Sequence, residues 1–447
     1  MNIYLNIEKL ITYAKIHLLL DEADEIYVRN LIMQKLNLSE YIAYEVDEEE
    51  IEGYENPFAI LDSLFAYAQE KGICKEEERK LFNAQLMDIV SLRPGEMADT
   101  FESLSKNQAK ALEWAFDYAV KNGSAITDFH RWENKGDKNL EVVFAGCCGG
   151  KDSYPGCCMC LEGEGYGVHQ NERYIPLSLG DGDWYFKAAK RAYLDSLGNI
   201  VKANHKPLTI DENTLNIMFD FVEATPGYFI FTGESEKTKG HAHFVCGNKP
   251  LPIHKANDKR KFKSKDYPYI NIVETDWYLS SLKLSCTNRE KLIEFTLKLI
   301  EAYKKNDGEV FISLRKIESK FTVEIAFMRG EAKKEHSALS SLDLYAMAGI
   351  FRIGGKVEEQ LKTIEKYLTK EIRFTPMCLV DGMEAHAKMI DRLLKEVGTS
   401  QLGAVEAALD VKEECKKTLV AFLNDIRAYD EEGMEAFLQA QEISLVK

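Results

Sequence analysis

At 447 residues the chain has room for about two to four domains, and its 45% hydrophobic and 11% aromatic content can fill ordinary globular cores. A net charge of -16 excludes a nonspecific nucleic-acid or membrane-surface binder, which needs a basic footprint. It leaves room for a small phosphate-bearing ligand held by a few local donors.

The start, MNIYLNIEKLITYAKIHLLLDEAD, reads as an amphipathic helix rather than a signal peptide, with Ile7, Leu10, Ile11, Ala14 and Leu18 on one face. No apolar run reaches the roughly 18 residues of a membrane span. The expectation is therefore a cytoplasmic protein with no membrane partner. Ile26 to Leu38 continues the helical pattern. Asn56-Pro57 suits a helix start, Gly72 a helix stop, and Ser105 the cap of a helix running to residue 121. Residues 1–122 are thus expected to form a helical N-terminal domain.

Past Gly123 the pattern changes. Glu141 to Ala145 is strand-like, and the Gly/Cys-rich run from Cys147 to Cys160 cannot pack as a regular helix. Short strands are expected at Arg173 to Leu179, Asn199 to Ala203 and Tyr228 to Thr232, with a helix from Asp211 to Ala224. Residues 267–375 repeat this α+β theme: a strand at Tyr278 to Ser285, a helix at Asn288 to Lys304, and strands at Glu309 to Leu314 and Phe321 to Phe327. The lysine-rich run KANDKRKFKSK at 255–265 reads as a solvated loop. It lacks the repeated aromatics of a base-stacking surface, so no nucleic-acid partner is expected. The last stretch, 376–447, again reads as helical.

Two short motifs carry chemistry. Cys157 and Cys160 form a C-x-x-C pair after a Pro-Gly turn. This suits half of a tetrahedral metal site, or a dithiol redox pair, or two unrelated cysteines. His241-Ala242-His243 puts two imidazoles on one side of an extended segment. There one can bind metal while the other acts as nucleophile or base.

Several ordered pieces make the chain resemble the bacterial class of galactose-1-phosphate uridylyltransferases. They are YPGCCMCLEGEGYG (Tyr154–Gly167), QNERYIPL (Gln170–Leu177), WYF (Trp184–Phe186), NHKPL (Asn204–Leu208), FDFVEATPGYF (Phe219–Phe229) and GHAHF (Gly240–Phe244). YVRNLIMQKLNL near the start and LDLYAMAGIFRIGGKVEEQLKTIEKYL near the end add to the likeness. The resemblance implies an α+β fold of tandem histidine-triad-like domains, at 123–266 and 267–375, between helical N- and C-terminal regions. It implies exchange of UMP between UDP-glucose and a hexose-1-phosphate through a uridylyl-histidine. By position the nucleophile is His243. It also implies structural zinc on Cys157, Cys160, His205 and His241, nucleotide contacts from Asn171 and Arg173, and a homodimer.

The chain departs from the pattern where phosphate is handled. Val245 stands in place of the family glutamine and Cys246 in place of a glycine. The loop before the histidine pair is the shorter ESEKTKG, in which Lys237 and Lys239 become candidate phosphate donors. The later substrate segment is reduced to KKEHSALSS, with His336 its only histidine. The alternatives are a catalytically silent nucleotide-binding or regulatory homologue, and a nucleotide-sugar hydrolase or phosphorylase that keeps His243 but changes the acceptor.

Overall fold

The computed structural model describes residues 2–127, 131–134, 140–143, 154, 156–180, 182–192, 194–232, 240–305, 308–329, 347–352, 420–421 and 423–446. The chain divides into two compact units. One is Met1–Thr127 with Gly150–His205; the other is Asp128–Gly149 with Lys206–Lys447.

The first unit begins with seven helices: α1 (Ile3–His17), α2 (Glu25–Lys35), α3 (Glu48–Glu52), α4 (Phe58–Glu70), α5 (Arg79–Val90), α6 (Pro94–Leu104) and α7 (Gln108–Lys121). The expected face of α1 is the buried one, with Ile7, Leu10, Ile11 and Ala14 out of solvent. Local chemistry sets the helix ends. The Asn56 side chain accepts from the Phe58 N–H at 3.2 Å at the start of α4. At its other end Gly72 takes a left-handed φ of 68°, which lets Ile73 N–H reach back to the Ala68 carbonyl. Ser105 is not the cap of α7. It opens a short 3-10 turn, and Asn107 caps the helix by accepting from Lys110 N–H. Both residues cap well, and only the length of the turn decides between them.

Two short strands, β1 (Arg131–Asn134) and β2 (Leu140–Val143), belong to the second unit. The first unit resumes with β3 (Ile175–Leu177), β4 (Trp184–Ala188) and β5 (Gly198–Lys202), paired antiparallel in that order. Helices hold the approach to β3 by hydrogen bonds. Asn122 and Asn171 exchange amide-to-carbonyl bonds at 2.8 and 2.9 Å, so the turn after α7 and the segment before β3 are locked together.

The second unit contains α8 (Glu212–Ala224), β6 (Phe229–Thr232), β7 (His243–Gly247), β8 (Asp258–Ser264), β9 (Asn271–Thr275), β10 (Ser280–Cys286), α9 (Arg289–Lys304), β11 (Glu309–Ile317), β12 (Lys320–Met328), β13 (Ile350–Arg352), α10 (Glu431–Gln439) and β14 (Ile443–Leu445). Eight strands pair antiparallel in the order β14-β8-β9-β10-β12-β11-β6-β7. In a separate small sheet, β2 pairs antiparallel with β1 and parallel with β13.

One face of the large sheet carries the helices. Phe219 of α8 packs on Phe321 of β12, and Tyr303 of α9 packs on Phe327 of the same strand, with centroids 4.9 and 5.0 Å apart. Period-2 alternation sends Thr322, Glu324 and Ala326 to the opposite face, together with Ser313 and Phe231 by register. His243 and Val245 project from β7 on that opposite face, because Val245 is registered with Phe231.

The lysine-rich run is not a loop. Asp258–Ser264 is a strand, with Phe262 and Ser264 buried and Lys261 and Lys263 exposed. Its residues are mostly poor strand formers, and pairing with β9 and β14 overrides them. Countercharges help: Lys259 meets Glu431, and Arg260 meets Glu274 and Glu435. Among the described residues no helix is long and apolar enough to cross a membrane.

Candidate active site and metal centre

The Cys157–Cys160 segment closes as a turn, with Cys160 N–H donating to the Cys157 carbonyl at 3.1 Å. Cys160 is buried, and its sulfur lies 3.2 Å from His205 Nδ1. The donor atoms of Cys157, Cys160 and His205 lie within 4.8 Å of one another. Three soft or borderline donors so close together could hold a metal ion.

The local electrostatics fit a cation. Burial, and then the neighbouring Cys157 sulfur, push the Cys160 thiol up to about 12. Both penalties fall on a thiolate without a countercharge, and a divalent ion supplies that charge.

In the second unit every residue of β7 is buried. The ring of His243 turns back along its own chain, where Nδ1 meets the His241 carbonyl at 2.7 Å. A carbonyl only accepts, so Nδ1 carries the proton and Nε2 is the nitrogen with the lone pair. This tautomer suits a nucleophile. Just before, Ala242 N–H donates to the Lys206 carbonyl at 2.6 Å. Ala242 follows His241 in the chain and Lys206 follows His205. His205 and His241 each neighbour, along the chain, a residue of this hydrogen bond.

Val245 is fully buried two residues beyond His243 on the same strand face. It offers the site no hydrogen-bond donor. Asn171 and Arg173, the other residues expected near a nucleotide, bond extensively within the first unit. Arg173 donates to the carbonyls of Leu92, Gln170 and Glu172, at 2.7, 2.7 and 3.0 Å, and to Asp88 Oδ1 at 2.9 Å. Lys237, Lys239 and the KKEHSALSS segment with His336 lie outside the described residues, as do Cys147 and Cys148.

The sequence reading passes over two residues that matter to the metal turn. Glu172, between Asn171 and Arg173, is buried and pairs with Lys187 at 2.6 Å, His169 Nδ1 at 2.8 Å and Lys190 at 3.1 Å. Burial opposes its charge, but Lys187, the His169 hydrogen bond and Lys190 together hold its carboxyl far below the usual carboxylate range. Burial likewise opposes the charge of Lys187, and Glu172 and Tyr174 outweigh it, so its pKa is raised. The only sign in the sequence is a lysine in the middle of the apolar strand WYFKA.

A second buried polar group lies on the His243 face of the large sheet. Leu251 N–H donates to His254 Nδ1 at 3.1 Å, which leaves His254 Nε2 to donate to Ser313 Oγ at 2.8 Å. Burial first, then Arg315 and Lys255, keep His254 neutral. Arg315 donates to Glu324 Oε1 at 2.8 and 3.1 Å.

Two curated bacterial proteins of the same name are similar to the chain at low identity. The chain is 24% identical over 430 residues to the galactose-1-phosphate uridylyltransferase of Lactococcus lactis subsp. lactis, covering 83% of this chain and 86% of that protein. It is 23% identical over 497 aligned positions to the protein of the same name from Fusobacterium nucleatum, covering 97% of both. Among solved structures, yeast Ap4A phosphorylase Apa2 in complex with AMP superposes with a TM-score of 0.39 at 14% identity, covering 58% of this chain and 91% of that one. No protein-family model matches the chain.

Proposed function

We propose that the chain is a nucleotidyltransferase of the galactose-1-phosphate uridylyltransferase type, built on tandem histidine-triad-like domains, with His243 as its nucleophile. The observation that carries this reading is the hydrogen bond from His243 Nδ1 to the His241 carbonyl at 2.7 Å. It directs the Nε2 lone pair outward from the ring and supplies an acceptor for the proton that stays on Nδ1. The similarity to the two bacterial uridylyltransferases over most of the chain supports the same reading.

In the proposed first half-reaction, Nε2 attacks the α-phosphorus of UDP-glucose. The P–N bond forms as the bond to the bridging oxygen breaks, and glucose-1-phosphate leaves. The ring becomes a cation, and the His241 carbonyl stabilises it through the Nδ1 proton. In the second half, a phosphate oxygen of galactose-1-phosphate attacks the same phosphorus, and the imidazole leaves as a neutral ring. Splitting one displacement into two lets a good nucleophile and good leaving group serve both. The proposed roles of Asn171 and Arg173 are to hold the segment before β3 for the nucleotide. Lys237 and Lys239 are the proposed phosphate donors that offset Val245.

Cys157, Cys160, His205 and His241 are proposed as the ligands of a structural Zn²⁺. When bound, the ion supplies positive charge that keeps both thiols ionised and the turn closed.

The test is the intact mass of the protein after incubation with UDP-glucose and no acceptor. One uridylyl group on the wild type and none on His243→Ala is the expected result. Val245→Gln should then raise the rate of labelling, since a donor near the transferring phosphoryl group commonly contributes about 10²–10³-fold. UDP-glucose binding without an adduct would instead identify a silent nucleotide-binding protein.

A further inference from the structure

The two loop carbonyls that follow the metal-site cysteines are held by side chains from neighbouring strands. Lys187 Nζ donates to the Cys158 carbonyl at 2.7 Å, and Tyr174 OH donates to the Cys160 carbonyl at 3.0 Å. The two donors are themselves joined, Lys187 Nζ donating to Tyr174 OH at 2.8 Å, and the ammonium also sits 4.6 Å from the Tyr174 ring centroid. Register explains the pairing. Ile175 lies opposite Phe186 on β3 and β4, so Tyr174 and Lys187 are cross-strand neighbours. Behind them Glu172, with His169 and Lys190 on its other oxygen, fixes the ammonium.

A buried lysine is costly unless paired and hydrogen-bonded. This one has a carboxylate, a phenol and a carbonyl as partners, and two of those three contacts lead to the Cys157–Cys160 turn. A brace of this kind is more than an isolated ion pair needs for its own stability. It holds the Cys158–Met159 peptide between the two cysteines and the Cys160–Leu161 peptide just past the second, and so restrains the directions of their Cα–Cβ bonds.

We infer that Lys187 and Tyr174, backed by Glu172, are positioning residues that aim the Cys157 and Cys160 thiolates at a divalent metal ion. The inference rests on the metal reading of these cysteines under the proposed function. The ion meets a turn already shaped for tetrahedral sulfur coordination, and removing either donor lets the turn relax. Metal-ligand supports of this sort typically change affinity by about 10–100-fold.

The test uses full-length protein loaded with zinc and challenged with a colorimetric chelator, together with cobalt(II)-loaded protein for its thiolate charge-transfer and d–d bands. Tyr174→Phe keeps the Lys187–Glu172 pair and the ring, and removes only the hydroxyl. It is expected to release zinc about tenfold faster and to shift the cobalt bands, with a modest drop in the unfolding midpoint of metal-free protein from the lost hydroxyl hydrogen bonds. Lys187→Met should release zinc faster still, with a lowered midpoint. Unchanged zinc release and unchanged cobalt bands in Tyr174→Phe would overturn the inference, whatever the midpoint does. A wild type that binds neither zinc nor cobalt would overturn the metal reading, and the inference with it.

Discussion

Glu172 in the first unit and Glu324 in the second are both buried beside basic groups, and the two end with opposite preferences. Glu172 has nitrogen partners on both oxygens, from Lys187, His169 and Lys190, and is held far below the usual range. Glu324 has one guanidinium, and both of its hydrogen bonds go to Oε1. Oε2 makes no hydrogen bond, and its nearest base is the neutral His254, 3.8 Å away. Burial therefore wins over Arg315 and the more distant Lys283, and the Glu324 carboxyl is pushed up to about 7. Both side chains are equally removed from water. The number and aim of their donors, not burial, sets the charge.

The sharpest way to break this comparison is Lys187→Met. It strands Glu172 in the interior without its nearest countercharge and should cost about 3–5 kcal/mol in urea unfolding. A loss below 1 kcal/mol, roughly the scale of an exposed pair, would mean that Lys190 and His169 suffice. Next comes the pH response of Glu324. Its carboxyl titrates near 4.5 when unperturbed and about 7 in the fold. The folded state thus keeps a proton that the unfolded chain gives up in this window. Stability falls as pH rises from about 4.5 to about 7, by roughly 3 kcal/mol from this group. Glu324→Gln should remove that slope, which unfolding curves at pH 5 and pH 8 would detect as a smaller difference than in the wild type.

Asp88→Asn should cost less, about 1–2 kcal/mol. Arg173 keeps its three backbone acceptors, and the Asp88 side chain is only partly buried. The exposed Arg79–Asp62 pair is the baseline, and Asp62→Asn should change the unfolding free energy by less than about 0.5 kcal/mol.

What could be read from sequence was local or rested on residue type. Asn56, Gly72, Asp211 and Asn288 mark helix ends because their chemistry acts within a few residues. Alternation over residues 309–314 and 321–327 marks a strand pair because one face packs against helices. Cys157, Cys160, His205 and His241 stand out because few residue types suit a metal, and Cys157, Cys160 and His205 do converge. The two charged networks were invisible for the converse reason. Lysine and glutamate are mostly exposed, so Lys187, Glu172 and Glu324 read as surface until tertiary packing covers them. Glu324 is the clearest instance: its alternation in KFTVEIAFM assigns it to a solvent face, yet that face too is covered. The strand at Asp258–Ser264 escaped notice because its lysines obscure the inward side chains of Phe262 and Ser264.

The N–H of Ala242, just after His241, donates to the carbonyl of Lys206, one residue beyond His205. Folding of the second unit therefore closes the chain between Lys206 and Ala242 through its own backbone. For the metal ion proposed above, the entropy of that closure would be borne by the protein rather than by coordination bonds. Loss of the ion would then read out local opening: fraying at the start of β7 would loosen His241 without altering a ligand.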